Sequence, residues 1–178
     1  MRALQTPRLQ LEPQRALHAE AMFAVLSDPA IYEYENAPPI SQEWLHERFT
    51  KLESRRSANG NDQWLNWVLR RHGGGLIGYV QATLRSEGQA FIAYELASAH
   101  WGRGLGSEAV AAMIDELVVQ YGVHTLLAIF KRTNHRSRRL LEGLGFGAAD
   151  VASPQGVELE ADEDLMQRRV ATTAEARS

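Results

Sequence analysis

A short glycine-rich segment in the middle of the chain constrains its fold more than any other feature. The segment joins a strand-like run, residues 90–96, to a helix-like run that continues to Tyr121, and it reads Trp101-Gly102-Arg103-Gly104-Leu105-Gly106-Ser107-Glu108-Ala109. Glycines at alternate positions remove three side chains where a strand passes into a helix, so backbone N–H groups stay accessible at the helix N-terminus. Such groups favour phosphate oxygens. The segment therefore predicts a site for a phosphorylated ligand.

The residues after this segment predict a helix, a buried strand and a second helix. Apolar residues recur at helical spacing up to Gly122, namely Val110, Met113, Ile114, Leu117 and Tyr121. Gly122 is typical of a helix C-terminus. Residues 125–130 are almost wholly apolar, which favours a strand buried on both faces. The second helix is predicted over residues 134–144, before Gly145-Phe146.

The first half of the chain predicts helices and a meander of strands. A short strand is expected at residues 9–11, a helix at 15–27, and a second helix after Ser41 as N-cap. Strands are expected at 63–71, 76–84 and 90–96 as consecutive antiparallel neighbours, with 90–96 lying parallel to 125–130. The predicted class is α+β with α/β/α layers, a mixed but mostly antiparallel sheet and helices on both faces.

Length, charge and cysteine content exclude several classes of protein. A chain of 178 residues predicts one domain, here residues 1–170, with a frayed tail at 171–178. The absence of cysteine excludes disulfides and thiolate sites, and the six histidines show no ligand spacing, so no metal is expected. A net charge of −3 disfavours nucleic acid as a partner. No apolar run is long enough for a membrane span and no signal peptide is apparent, so a cytoplasmic location is expected.

Charged residues form two opposite clusters. The acidic cluster is interpreted as a solvated surface and consists of Glu158, Glu160, Asp162, Glu163 and Asp164. The basic cluster reaches the first turn of the second predicted helix and consists of Lys131, Arg132, Arg136, Arg138 and Arg139. Cations at a helix N-terminus interact unfavourably with the helix macrodipole, and each exposed one destabilises the helix by about 0.3–1 kcal/mol. Either this helix end is simply solvated or an anion lies nearby, and the sequence leaves both interpretations open.

Two phosphate-binding interpretations of the glycine segment compete. Gly104-x-Gly106-x-x-Ala109 fits the dinucleotide fingerprint of an NAD(P)-binding oxidoreductase, although that pattern alone is weak. The fingerprint also requires an acid about 20 residues further on, at the end of the next strand. That place reads Phe130-Lys131-Arg132-Thr133, and one strand–helix–strand unit is present where a doubly wound fold needs two. The dinucleotide interpretation is therefore the less favoured one.

The other interpretation comes from a resemblance to the GNAT N-acetyltransferases. Residues 101–106 resemble that family's motif A, Gln/Arg-x-x-Gly-x-Gly/Ala. Asn134-x-x-Ser137, with Leu-Leu-Glu-Gly-Leu-Gly-Phe at 140–146, resembles the next motif. The ends of the chain, residues 6–11 and 164–166, are similar to RimJ/RimL-type members, which acetylate protein N-termini. The resemblance implies acetyl-CoA as the donor and an amine as the acceptor, with a homodimer as an allowed assembly.

The resemblance also assigns a cofactor site. It implies that the sheet is splayed between the fourth and fifth predicted strands, so that the pantetheine arm pairs with the edge at Leu96 and Ala97. It assigns the pyrophosphate to the glycine segment, and the pantetheine or nucleotide to α-helical residues near Asn134. The residues implied to bind the cofactor are Leu96, Ala97, Arg103, Gly104, Leu105, Gly106, Ser107, Asn134 and Arg138.

The candidate catalytic residues each allow two roles. Glu95 is the acid nearest the thioester end of its strand, and it is either a general base or a surface acid. Many relatives carry a tyrosine acid where this chain has Leu141, so Ser137 becomes the candidate partner of the leaving sulfur, or else it bonds its own helix backbone. Candidate acceptor residues are Tyr32, Glu33, Tyr34, Glu35, Trp64 and Asn66. A non-catalytic acyl-CoA-binding module is the alternative function.

Overall fold

Eight strands form one sheet in the computed structural model, which describes residues 1–34, 36–85, 88–149 and 158–170. Along the sheet the strands lie in the order β1-β2-β3-β4-β5-β6-β8-β7. Their bounds are Leu4–Gln5 (β1), Leu9–Pro13 (β2), Gln63–Arg71 (β3), Leu76–Leu84 (β4), Gln89–Leu96 (β5), Thr125–Lys131 (β6), Gly147–Ala148 (β7) and Glu163–Arg169 (β8). The predicted tail at 171–178 lies outside the described residues.

Four α-helices accompany this sheet in the same part of the chain. They span Ala19–Leu26 (α1), Gln42–Glu53 (α2), Leu105–Tyr121 (α3) and His135–Gly143 (α4). The Ser41 side chain accepts a hydrogen bond from the Trp44 N–H at 3.1 Å, as predicted for an N-cap. Gly122 ends α3 in the left-handed conformation. The single helix predicted at 15–27 is wrong, because a 3₁₀ turn at Ala16–His18 precedes the shorter α1.

The parallel contact between β5 and β6 is short and opens at one end. Register is kept over three residue pairs, from Gln89 with Thr125 to Phe91 with Leu127, while the other pairings of the sheet are antiparallel. Beyond Phe91 the two strands separate. The predicted mixed, splayed sheet is thus confirmed, with the splay one strand later because β1 precedes the predicted first strand. The doubly wound alternative is wrong.

Two separate apolar cores show that helices cover both faces of the sheet, as predicted. Alternate residues of β3 point to opposite faces. Leu65, Trp67 and Leu69 pack with α3 residues such as Met113 in the larger core, which also holds Leu141 of α4. Val68 points the other way and packs with α1 and α2 through Met22, Leu45 and Phe49.

Strand β8 brings the acidic cluster onto the basic one. It pairs with β6 along the whole of that strand, from Thr125 with Arg169 to Lys131 with Glu163. Lys131 thereby contacts Glu160, Asp162 and Glu163, and Asp164 contacts Arg132 and Arg138. The acids do form a solvated surface, since Glu160 and Asp162 are 72% and 70% exposed, but four of the five also pair with residues of the basic cluster.

Candidate functional site

A cleft of about 550 Å³ opens where β5 and β6 separate. One wall is the end of β5, the floor is the glycine segment, and the other wall is the first half of α4. Predicted site residues that border it are Tyr34, Glu95, Leu96, Gly104, Leu105, Gly106, Ser107, Asn134 and Ser137. Tyr94, Arg136 and Arg139 also border it, and the sequence did not indicate them as site residues. The structure therefore brings residues from four separate segments of the sequence to one place.

The glycine segment presents unpaired backbone donors to this cleft. Gly104 is the N-cap of α3 with φ 72° and no capping side chain, and the Glu108 N–H makes the first intrahelical bond to its carbonyl at 3.0 Å. The N–H groups of Leu105, Gly106 and Ser107 have no acceptor among the described residues. Free N–H groups at a helix N-terminus suit a pyrophosphate.

Each glycine of the segment has its own structural reason. Gly102 and Gly104 have φ values of 68° and 72°, which β-carbons disfavour. Gly106 has an ordinary conformation, but a β-carbon there would lie 3.0 Å from Leu140 Cδ1. The first turn of α3 thus sits close against α4, which keeps its free N–H groups beside the α4 wall.

The acid in this first turn, Glu108, does not border the cleft and is paired with Arg8. Glu108 accepts hydrogen bonds from Thr6 Oγ1 at 2.6 Å and from Arg8 Nε at 2.6 Å. Burial opposes ionisation, but these hydrogen bonds outweigh it and hold the pKa of Glu108 below its usual value. Arg8 also donates to the Arg103 carbonyl at 2.8 Å. Residues near the N-terminus therefore brace the glycine segment, a contact that local sequence patterns could not reveal.

The splayed edge of β5 exposes backbone groups to the cleft. The Ala97 N–H donates to the Ile77 carbonyl of β4 at 2.9 Å, so odd-numbered residues of β5 bond to β4. The N–H and C=O groups of Ile92, Tyr94 and Leu96 must then point towards the gap. The two backbone groups of Leu96 already have side-chain partners. Its carbonyl accepts from Trp101 Nε1 at 2.8 Å, and its N–H donates to Glu95 Oε1 at 3.2 Å.

Hydroxyl groups meet on the α4 side of the cleft. The Asn134 side chain caps α4 by accepting from the Ser137 N–H at 3.0 Å. The Ser137 hydroxyl lies 2.7 Å from the Tyr94 hydroxyl, so it bonds a side chain of β5 and not its own helix. Burial raises the pKa of Tyr94 to about 12. Leu141 is buried in the core and does not border the cleft.

Glu95 lies on the opposite face of β5 from this hydroxyl pair. Consecutive strand residues point to opposite faces, so Tyr94 faces α4 while Glu95 faces the side covered by α1 and α2. Tyr32 is near it: burial first, and then the charges of Glu95 and Asp28, raise the pKa of Tyr32 to about 12. The Tyr32 hydroxyl donates to the Leu26 carbonyl at 2.8 Å. The two candidate catalytic groups therefore flank the gap from its two faces.

The predicted acceptor residues are only partly brought to the cleft. Arg136 spans its mouth, 2.8 Å from Glu33 Oε2, 3.9 Å above the Trp101 ring and 5.7 Å from the Tyr34 ring. Glu33 is thus already in an ion pair with Arg136. Trp64 and Asn66 lie on β3 and do not border this cleft, and Glu35 lies outside the described residues.

The arginines of α4 divide by helical face. Arg138 contacts Asp164 and lies over the Phe130 ring, and it does not border the cleft. Arg139 does border it and has no ionic partner in the described part of the chain. Arg103 and Ala97, which the resemblance assigns to the cofactor site, do not line the cleft either, so their role in binding the cofactor stays a prediction. Residues three apart share a helix face, so the spacing of Arg136 and Arg139 could have distinguished them from Arg138.

Within the described part of the chain, no group of three or more histidine, cysteine or acidic side chains could hold a metal ion. No described helix is long and apolar enough to cross a membrane.

A splayed parallel strand pair beside an uncapped helix N-terminus is the arrangement of a protein that binds a phosphorylated ligand with an extended arm. The sequence matches the Acetyltransferase (GNAT) domain over residues 8–147, and the chain belongs to this family. It is accordingly an N-acetyltransferase with acetyl-CoA as its donor.

Relatives agree with this membership. The uncharacterised N-acetyltransferase p20 of Bacillus licheniformis is 26% identical over 148 residues, covering 82% of this chain and 83% of its own. Mycobacterium smegmatis RimJ in complex with CoA-disulfide has a TM-score of 0.73 at 20% identity, covering 94% of this chain and 85% of its own. The ribosomal-protein-S5-alanine acetyltransferase of Vibrio fischeri has a TM-score of 0.74 at 17% identity, covering 94% and 96%.

Proposed function

We propose that the protein transfers the acetyl group of acetyl-CoA directly to a primary amine, either a protein N-terminus or a small amine. The observation that carries the proposal is the junction of the β5/β6 gap with the free N–H groups of α3 in one cleft. The gap suits an extended thioester arm, and the helix N-terminus suits the pyrophosphate. The likeness in fold to a ribosomal-protein-S5-alanine acetyltransferase favours a protein as the acceptor.

The phosphate end of the site uses both backbone and side-chain groups. The N–H groups of Leu105, Gly106 and Ser107 bind pyrophosphate oxygens, with the positive end of the α3 dipole behind them. Arg139 borders the cleft without an ionic partner among the described residues, so it supplies the cation that was assigned to Arg138. Asn134 acts here by capping α4 and holding its first turn at the cleft wall.

The reaction centre lies between the two faces of β5. On one face, Glu95 takes a proton from the attacking amine, directly or through water, because only a neutral amine can attack. The Leu96 N–H points into the gap and stabilises the negative charge that develops on the thioester oxygen. It is released for this task when the Glu95 carboxylate turns from it towards the amine. On the other face, Ser137 contacts the leaving sulfur.

Ligand-dependent stability tests the donor site without an acceptor. A ligand that binds only the folded state stabilises it by about 2.7 kcal/mol at a hundredfold excess over Kd. We expect acetyl-CoA and CoA to raise the melting temperature and NAD⁺ and NADP⁺ to leave it unchanged. A shift with the dinucleotides alone would contradict the proposal.

A panel of amines tests the transfer itself. Peptides with different N-terminal residues, polyamines, amino acids and aromatic amines are each incubated with acetyl-CoA, and release of the CoA thiol is followed. We expect amine-dependent thiol release with at least one class. Stabilisation by acetyl-CoA without turnover of any amine would favour the acyl-CoA-binding module.

A further inference from the structure

Tyr94 and Ser137 carry one hydroxyl proton each, but the hydrogen bond between them needs only one of these two protons. The two oxygens lie 2.7 Å apart, and either one can be the donor. The second proton has one weak internal acceptor, the Ser137 carbonyl, at 3.3 Å from the Tyr94 oxygen. Both residues border the cleft. One hydroxyl proton of the pair is therefore poorly bonded within the described protein.

Two arrangements of these protons are available. In the first, Ser137 donates to Tyr94, and Tyr94 makes the weak bond to the Ser137 carbonyl. In the second, Tyr94 donates to Ser137, and the serine proton is free to point into the cleft. Only hydroxyl rotations separate the two arrangements. An acceptor placed in the cleft beside Ser137 selects the second one.

We propose that Tyr94 is a positioning residue that turns the Ser137 hydroxyl proton towards the sulfur of CoA as the thioester bond breaks. The inference rests on the proposed function, because that function places the thioester beside Ser137. Tyr94 itself need not touch the sulfur. It acts by occupying the acceptor lone pair of Ser137, which leaves the serine with its proton directed into the cleft.

The pair donates a hydrogen bond and keeps its protons. The amine nitrogen forms its bond to the carbonyl carbon, the C–S bond breaks, and the electron pair stays on sulfur as a thiolate. The amine proton leaves towards Glu95 or water. The pKa of Tyr94 is about 12, whereas a thiol has a pKa of about 8.5, so proton transfer from the pair is unfavourable by roughly a thousandfold. A thiolate stabilised by hydrogen bonding then departs and takes its proton from water.

The Tyr94 hydroxyl is not needed to hold α4 or the Tyr94 ring in place. The first turn of α4 is already capped by Asn134, and the Tyr94 ring packs against the larger core. Replacement by phenylalanine keeps that packing and removes only the hydroxyl. The variant Tyr94→Phe therefore isolates the proton-orienting role.

The test measures the thiol pKa of CoA bound to the protein, so it needs no acceptor. Thiolate absorbance of bound CoA is titrated with pH for the wild type, Tyr94→Phe, Ser137→Ala and the double variant. A hydrogen bond to the thiolate should lower the thiol pKa by about one unit in the wild type. Ser137→Ala should abolish that lowering, Tyr94→Phe should remove about half of it, and the double variant should equal Ser137→Ala.

Controls separate this role from general damage. Ser137→Thr keeps the hydroxyl and should keep the lowered thiol pKa. Tyr121→Phe makes the same chemical change at the far end of α3 and should behave as the wild type. Wild-type behaviour of Tyr94→Phe beside an altered Ser137→Ala would overturn the role of Tyr94, and so would strictly additive effects. Failure to bind CoA at all would refute the proposed function and this inference with it.

Discussion

At the scale of single residues, Gly104 is the position where an unusual backbone conformation adjoins the proposed pyrophosphate site. Its φ of 72° is strained for any side chain, most of all for a β-branched one. We expect Gly104→Val to remove most of the thermal stabilisation by acetyl-CoA, because the N–H groups that follow it would be displaced. The measurement is the melting temperature with and without acetyl-CoA.

Gly60 provides a matched control for that substitution. It has a similar φ of 74° in a loop before β3, and a β-carbon there would meet nothing within 4 Å. Gly60→Val should lower the melting temperature of the free protein through the same backbone strain and leave the gain with acetyl-CoA intact. Equal gains in both variants would count against the phosphate assignment.

Arg136 makes two contacts, with Glu33 and with Trp101, whose contributions to stability can be measured separately by substitution. Its ion pair with Glu33 is exposed and worth about 0.2–1 kcal/mol, and its contact with the Trp101 ring adds roughly 0.5–1 kcal/mol. Arg136→Gln should therefore lower the free energy of unfolding in urea by about 1 kcal/mol, and Glu33→Gln by less. Arg139→Gln, on the same helix without an ionic partner among the described residues, should have no such effect; an equal loss there would contradict the assignment.

At the scale of elements, His18 links pH to the start of the first helical segment. Its Nδ1 accepts the Arg15 N–H at 3.1 Å, and its Nε2 lies 3.4 Å from Glu12, which is paired with Arg70. Burial lowers the pKa of His18; Glu12 opposes this, and Arg70 and Arg15 add to it. A proton on Nδ1 would also break the bond from Arg15.

The sign of the pH effect follows from that lowered pKa. The unfolded chain binds a proton on His18 near pH 6.5, at a higher pH than the folded protein does. The free energy of unfolding should therefore fall as pH decreases from about 7 towards the lower pKa of the folded state. His18→Asn should flatten this slope in urea titrations, while His46→Gln, at an exposed position of α2, should not. A slope unchanged by His18→Asn would refute the assignment.

The elements also show what sequence could and could not predict. The glycine segment, the Ser41 cap and the apolar stripe of α3 depend on neighbours within a few residues, and all three were predictable. Strand β8 was not predicted, because charged residues such as Glu163 are stabilised by partners on β6, here Lys131, that are distant in the sequence. The contact between Tyr94 and Ser137 spans 43 residues and depends on the splay, so no local pattern indicates it.

At the scale of the whole molecule, the sheet consists of two parts joined by three residue pairs between β5 and β6. Backbone N–H groups of Ile92 and Tyr94 face the gap and should exchange with solvent in the free protein. We expect CoA to slow their exchange strongly, and amides of β3 to change little, in hydrogen–deuterium exchange measured residue by residue. Unchanged exchange at Ile92 and Tyr94 with CoA bound would contradict the pairing of the pantetheine arm with this edge.

The same gap bears on how the protein avoids aggregation. An unpaired strand edge on a protein surface is a template for another chain. Here the unpaired edge of β5 lies inside a cleft bounded by the glycine segment and α4, where a neighbouring sheet has no room to approach. An open strand edge enclosed in this way is accessible to a thin extended molecule, and it is less exposed to pairing with another chain than an edge at the rim of the sheet would be.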